Sequence, residues 1–408
     1  MLENIRKTVK IKDLGEVITG TTPPTQHQEY FGGKYLFIKP SDISTDQRYV
    51  FKTEMTLSDE GYDYQKRKLL PKNSICVVCI GTIGKMCFTS KPSFTNQQLN
   101  SIIVNQTLYD PTYVYYLMKT YISYVKHLNA GSASGRENVN KSSFENLEVE
   151  VHELPIQRKI AAILSAYDRL IENNTRRIEI LEEMARSIYR EWFVNFRFPG
   201  HEQVKMVDSE LGLIPEGWEV KKLGEVSLNF DNKRKPLSSL QRAKIQGKYP
   251  YYGAAKIFDY INNYIFEGRY LLVAEDGSVI TKDRRPVLQL VDEKFWVNNH
   301  THVIQGKEAI STNFLYLFMS DLDISGYITG AAQPKINQTN LNRIPIIVPR
   351  QIVLKQFNAI IDSLLIQVKN LKLKNANLRQ TRDLLLPRLI SGEIDVENLD
   401  INTSQIAA

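Results

Sequence analysis

At 408 residues the chain is too long for one ordinary core and calls for two or more domains. Apolar residues make up 42% and charged residues 24%, which excludes a disordered chain. The net charge of +7 points to a polyanionic partner; the start lacks the apolar core of a secretion signal, and the longest uncharged apolar run (73–84) is too short to span a bilayer, so a cytoplasmic protein without membrane contact is expected.

Taken in chain order, the first stretch is mixed. Strand-like runs KYLFIKP (34–40), SICVVCIG (74–81) and NSIIV (100–104) precede a helical run over 111–128. Cys76 and Cys79 match a C-x-x-C spacing, but they sit inside an apolar strand and no second ligand pair follows, so buried structural cysteines are expected. Pro155 then marks a boundary. Beyond it, Ile160, Leu164, Tyr167, Ile171, Asn174, Ile178, Leu181, Ala185, Ile188 and Trp192 recur in steps of four and three, a heptad seam. A second mixed stretch follows, with RYLLVAE (269–275), PVLQLV (286–291), a helical run over 311–322 and RIPIIVP (343–349). It leads to a second seam through Leu354, Phe357, Ile361, Leu364, Val368, Leu371, Asn375 and Leu378, which frays at Arg382 and reaches a helix stop at Gly392.

The order globular, helix, globular, helix is a tandem duplication. Leu14-Gly-Glu-Val17 matches Leu223-Gly-Glu-Val226, the segment from Cys79 matches that from Glu275, Thr95–Gln98 matches Val297–His300, and the segments from Asn140 and Leu154 match those from Asn337 and Val348. The expected fold is α+β: two globular domains of mixed and antiparallel β-structure with helices, separated by two long antiparallel coiled-coil helices, related by a pseudo-twofold duplication. The boundaries are 1–153 and 200–347 for the globular domains, 154–199 and 348–394 for the helices, and 395–408 for a tail. Set antiparallel, Asn174 and Asn375 fall at one level; either they meet and fix register, or each faces solvent where its seam drifts. About 38 helical residues at ~1.5 Å each make a rod of roughly 55–60 Å, longer than one ~34–36 Å turn of duplex DNA.

Catalytic patterns are missing. There is no phosphate-binding G-x-x-x-x-G-K-[ST], no G-x-G-x-x-G between strand and helix, no H-E-x-x-H and no G-x-S-x-G. Thr22-Pro-Pro-Thr25 lacks the residues that hold a flipped base, and His300-Thr-His302 finds no completing carboxylate or Cys nearby in sequence. Glu275-Asp276 reads as a solvated turn or as an acceptor for a cytosine amino group. What remains is a set of polar, basic loops at matching places in the two copies, suited to phosphates, guanine and adenine edges. From them the DNA-contact candidates are Thr22, Gln26, His27, Asn96, Gln97, Arg136, Asn138 and Lys141 in the first copy. In the second they are Lys233, Arg234, Lys235, Lys282, Arg284, Arg285, Asn299, His300, Gln333 and Lys335. Tyr249, Tyr251 and Tyr252 either stack on a base or pack.

The stretch DSELGLIPEGWEVKKLGEV (208–226) resembles the start of a target recognition domain of a type I restriction–modification specificity subunit. The segments from Leu154 to Phe193 and from Val348 to Ile394 resemble that family's two long helices. The resemblance implies a non-catalytic subunit with no cofactor of its own, whose two domains each read half of a split double-stranded DNA target while the helices set the gap. It implies docking of two modification subunits that use S-adenosylmethionine to methylate adenine N6. It also implies that two restriction subunits, using ATP and Mg, can join. The loop Gly330–Ile336 fits that family's G-x-x-Q-x-x-[IL] pattern; the first copy has no matching Gln, and in the matched register Val9 stands where the second copy has Trp218. Two other readings stand beside it: a coiled-coil scaffold without DNA contact, whose loops would tolerate charge reversal, and a stand-alone methyltransferase, for which the motifs are missing.

Overall fold

The computed structural model describes residues 6–44, 47–127, 139–330 and 333–403, without the side chains of 123–127. The chain forms two compact units, Met1–Arg177 with Leu371–Ala408 and Ile178–Asn370, so that each long helix contributes to both.

The first unit opens with β1 (Lys7–Lys10), the helical turn α1 (Ile11–Leu14), β2 (Gly15–Thr19), β3 (Phe31–Ile38), β4 (Tyr49–Val50), β5 (Met55–Leu57) and α2 (Asp59–Gln65). Then come β6 (Ile75–Val78), β7 (Met86–Thr89), β8 (Ser93–Thr95), β9 (Leu99–Val104), α3 (Pro111–His127), α4 (Lys141–Glu145) and β10 (Glu148–Val151). Strand order is β2-β9-β6-β7-β4 in one sheet and β5-β3-β8 in another, with β1 paired to β10. The period of two explains the uncharged run at β6. Ile75 and Val77 enter one core with Val17, Phe88 and Ile102. Cys76 and Val78 enter another with Ile38, Cys87 and Leu99. All three cysteines are buried and unbridged, and burial pushes the Cys79 thiol up to about 11, which keeps it a neutral core residue.

The helix α5 (Leu154–Tyr189) follows and ends in a π-helical turn, Arg190–Val194. The second unit contains β11 (Met206–Ser209), β12 (Gly212–Pro215), β13 (Glu219–Lys222), the helical turn α6 (Leu223–Val226), β14 (Ser227–Asn229), α7 (Ser239–Lys244), β15 (Gln246–Tyr252) and β16 (Ile257–Ile261). It continues with β17 (Phe266–Ala274), β18 (Leu288–Val297), β19 (Thr301–Gly306), α8 (Thr312–Asp321), α9 (Gln338–Asn342) and β20 (Pro345–Val348). Its main sheet has the order β14-β19-β17-β18-β15-β16, and β13 pairs with β20. The last helix, α10 (Gln351–Ile390), runs through Pro387 and stops at Gly392, whose φ of +75° suits a residue without Cβ. No helix among the described residues is long and apolar enough to cross a membrane.

In both units α5 and α10 pack antiparallel. In the second, Tyr189 and Phe193 meet Phe357, with Phe193 and Phe357 rings 4.7 Å apart. In the first, Asn174 donates to Asn375 at 2.9 Å, and Asn375 donates to the Ile171 carbonyl at 3.3 Å. The two seam asparagines do meet. Ile171, Ile178, Leu364, Val368, Leu371 and Asn375 are buried, Asn174 is half-buried, and Leu181 packs against the second unit's core.

Arg382, where the seam frays in sequence, is no defect. Its guanidinium binds the buried Asp168 carboxylate, which also accepts from the Tyr116 hydroxyl. Arg48 stands 3.8 Å from Asp168 and makes two bonds of 2.9 and 3.0 Å to Glu172. This cluster ties β4 and α3 to both helices of the first unit. Beyond α10, Val396 is buried in the same unit's core and the Glu397 carbonyl accepts from Lys159.

The duplication holds at the level of backbone hydrogen bonds, with one shift of register. Leu223 N–H donates to the Ile344 carbonyl at 2.8 Å, and its counterpart is Ile11 to Leu147 at 3.1 Å. Lys222 N–H bonds Glu225 as Lys10 N–H bonds Asp13, and Lys307 donates to Val226 as Asn105 donates to Leu14. Thus Leu223–Val226 corresponds to Ile11–Leu14, three residues before the Leu-Gly-Glu-Val match expected from sequence. In the first copy Gly15–Val17 already belong to a strand. Val9 is correspondingly not the counterpart of Trp218; that place falls on Arg6.

Candidate nucleic-acid interface

In the second unit, four segments that are distant in sequence converge on one charged cluster. Asp231 accepts from Val303 N–H at 2.9 Å with one oxygen and lies 2.5 Å from His302 Nδ1 with the other. Arg234 reaches Glu275 at 2.7 Å and the carbonyls of Asn299 and Thr301 at 3.2 and 2.9 Å. Lys335 Nζ stands 3.3 Å from the other Glu275 oxygen. His302 Nε2 faces the Ile336 carbonyl at 2.9 Å. The ring thus sits between two acceptors, one at each nitrogen. Backbone bonds complete the knot: Glu275 N–H to His300 O and Ile336 N–H to Glu275 O, each 2.9 Å. Burial works against the Asp231 charge, but the His302 contact and the Val303 N–H outweigh it and hold the carboxyl below its usual range.

Side-chain exposures of 1% for His302, 9% for Asp231, 13% for Glu275 and 15% for Arg234 mark this cluster as the foundation of the loops rather than their reading edge. Donor atoms of Asp231, Glu275 and His302 lie within 4.8 Å of one another, a spacing that suits a metal ion. The guanidinium of Arg234, 2.7 Å from Glu275 and 3.6 Å from Asp231, already supplies the cation.

Two expectations change here, those for Glu275-Asp276 and for Arg234. His300 and His302 do not share an environment: His300 is half exposed and bonded through Nδ1 to Asp276 at 2.8 Å, while His302 is interior. Glu275-Asp276 is neither a solvated turn nor a free acceptor, because both carboxylates are engaged. Arg234 has no free fork for a phosphate. Of the tyrosines, Tyr251 and Tyr252 are buried and pack.

The other candidates in this unit face outward. Lys233, Lys235, Lys282, Asn299 and Gln333 are exposed, with Lys233 Nζ 5.2 Å from the Phe230 ring centre. Lys335 is 46% exposed in spite of its Glu275 contact. Thr329 and Lys335 pair on either side of Gln333, and Gly330 has a φ of +88°, a conformation that favours a residue without Cβ. Arg284 and Arg285 form a separate group with Asp323, Ser325 and Asp321.

The first unit builds the same frame from neutral groups. Cys79 N–H donates to Gln98 O and Val139 N–H to Cys79 O, each at 2.8 Å, matching the two bonds of Glu275. Asn96 Oδ1 accepts from Gln98 N–H as Asn298 Oδ1 accepts from His300 N–H. Asn140 and Asn337 cap α4 and α9 alike. Thr22 donates to Gln97 at 2.6 Å and joins the two loops. Asn96 is buried, so it shapes its turn from within. Gln26 is exposed, His27 is bonded to Glu29, and Lys141 pairs with Glu145. Arg136 and Asn138 lie outside the described residues. Sequence reasoning missed Asp231, His302 as an interior group, and Gln98. The first two are 71 positions apart, and only the isolated buried-strand position of His302 carried a signal.

The family model of the type I restriction modification DNA specificity domain matches residues 6–183 and again 215–379. The MjaIX specificity subunit of Methanocaldococcus jannaschii is 29% identical over 407 residues, covering 96% of this chain and 94% of the relative. The HindI specificity subunit of Haemophilus influenzae is 34% identical over 178 residues, 42% of this chain and 38% of the relative. The S subunit of a type I restriction–modification system from M. genitalium has a similar fold, with a TM-score of 0.59 at 17% identity over 95% of this chain and 97% of that one. Matched in both of its copies, the chain belongs to the family of type I restriction–modification DNA specificity subunits.

Proposed function

We propose that this chain reads a bipartite DNA target, one half with each unit, and that α5 and α10 together set the spacing between the halves. The observation that carries the reading is the repeated loop frame: the same backbone bonds at Cys79 and Glu275, at Gln98 and His300, and at Val139 and Ile336, filled with different side chains. A conserved frame with different contents is what two readers of two different half-sites require. Members of this family recognise DNA and leave catalysis to partner subunits. The present chain accordingly works in the cytoplasm with two modification subunits, which bind S-adenosylmethionine and methylate adenine. Two restriction subunits using ATP and Mg can join them. The outward candidates Gln26, Gln97, Lys233, Lys235, Lys282, Asn299, His300, Gln333 and Lys335 contact the duplex.

Methylome sequencing of cells carrying the modification subunit with and without this chain tests the proposal. A single split motif with a fixed gap, present only with the chain, is the expected result. Methylation at an unsplit motif, or independent of the chain, overturns it.

A further inference from the structure

Three successive cations in the first unit, Lys66, Arg67 and Lys68, stand outside every loop considered so far. They form a short 3-10 turn directly after α2. Lys66 and Arg67 are exposed, and Lys68 is half-buried. None of the three pairs with a carboxylate among the described residues, whereas nearby Lys34 and Lys39 are bound to Asp59 and Glu54 at 2.8 and 2.7 Å. Of the acidic residues of α2, Asp59 and Glu60 occupy its first turn, and the exposed Asp63 lies nearer the triplet without forming an ion pair with it.

The fold fixes this turn beside the candidate DNA loops from two sides. On one side, His27, Tyr30 and Tyr64 stack in sequence, with ring centres 5.1 and 5.0 Å apart. The stack joins the loop of Thr22 and Gln26 to the end of α2, and Tyr64 is still 52% exposed. Ser58 fastens the start of α2 to the same place by bonds to Tyr30 O and Glu29 O. On the other side, Leu70 pairs with Ser93 in β8, the strand that leads into the turn of Asn96 and Gln97. The Thr22–Gln97 bond closes the ring. An unpaired cation triplet next to an aromatic stack that ends in the exposed Tyr64, adjoining polar loops, suits a polyanionic backbone.

We propose that Lys66, Arg67 and Lys68 bind backbone phosphates of the DNA alongside the half-site read by the first unit. This rests on the DNA-reading function above. Phosphate contacts position a duplex without reading its sequence. The triplet therefore adds affinity and salt dependence while leaving the recognised motif alone.

The test uses the chain assembled with its modification subunits and a duplex carrying the motif found by methylome sequencing. Binding is measured by fluorescence anisotropy across a series of KCl concentrations. Each lost phosphate contact removes about 0.9 from the slope of log K against log salt. The variant K66A/R67A/K68A should therefore bind with a slope shallower by about 2–3, methylating the same motif. The charge-reversed K66E/R67E should bind more weakly still. An unchanged slope in an assembled complex overturns the proposal while the wild-type binding keeps the DNA-reading function intact. Loss of the modification subunits from the variant, with DNA affinity unaltered, makes the patch a protein contact and also overturns it. Wild-type complex that shows no preference for the motif sinks the underlying function as well.

Discussion

Replacing Arg382 with Met should destabilise the first unit by leaving a buried carboxylate without its main cation. The Asp168 and Arg382 side chains are only 6% and 10% exposed. Removing the guanidinium leaves Asp168 charged in the interior, with the Tyr116 hydroxyl and a more distant Arg48 at 3.8 Å. Breaking a buried pair by deleting one partner costs about 3–5 kcal/mol. The two remaining partners put R382M at the lower end, ~3 kcal/mol. For a unit of this size each kcal/mol moves the midpoint by about 2–4 °C, so its transition should fall by roughly 6–12 °C. Calorimetry reads the shift, and hydrogen exchange assigns it: amides of α3 and the end of α10 should lose protection, while those of β17 and β18 keep theirs. The double variant D168N/R382M removes the orphaned charge and should recover much of the loss. A cost of R382M below about 0.5 kcal/mol, or a double variant no more stable than the single, would refute the account of a buried charge cluster.

At the helix seam, N174I leaves the Asn375 amide without its main partner and should cost about 1–3 kcal/mol, whereas N174I/N375I should be near neutral, both read by urea denaturation. Glu275→Gln frees Arg234 and Lys335 from a shared carboxylate. DNA protection should weaken over the half-site read by the second unit only, which a footprint of the assembled complex checks. The Asp231 carboxyl is held below its ordinary value, so the stability it contributes is complete above the unfolded-state value near ~3.9 and is lost as pH falls through the lower folded value. D231N should flatten that acid limb of the second unit's denaturation profile. Inserting one heptad into both α5 and α10 adds about 10 Å of helix and should lengthen the tolerated gap by roughly three base pairs with both half-sites retained, as read from the methylome.

The parts of the fold with a period were legible in the sequence. Both seams, the common level of the two asparagines and the strand at Ile75–Val78 follow from spacing alone, whereas the contact between the asparagines is shown only by the packed helices. The register of the first turn was not. Leu-Gly-Glu-Val recurs literally, yet Ile11-Lys-Asp-Leu14 is the counterpart, because the turn needs an apolar residue at each end and a carboxylate for the Lys10 or Lys222 N–H. Those requirements are met by Asp as well as Glu and by Ile as well as Leu, so identity is a poor guide to position there. The site shows the same limit. Arg234 and Lys233 are neighbours with similar chemistry, and only the fold puts Glu275 against one of them.

This distinction between frame and contents explains how the two copies diverged without losing their fold. The bonds that repeat at Cys79 and Glu275 are made by backbone atoms, and they survive any side chain that fits the space. At the residue facing Val139 or Ile336, one copy has a buried Cys79 and the other a Glu275 that anchors two cations. The neutral frame needs no partner, whereas the charged one needs Arg234, Lys335, Asp231 and His302 in place together. Substitutions at exposed Gln333 or Lys235 should therefore alter what is read at little cost to stability. A substitution at Glu275 or His302 disturbs four segments at once. New specificities should arise first at exposed positions such as Gln333 and Lys235, and changes in the anchoring cluster should be tolerated only as a set.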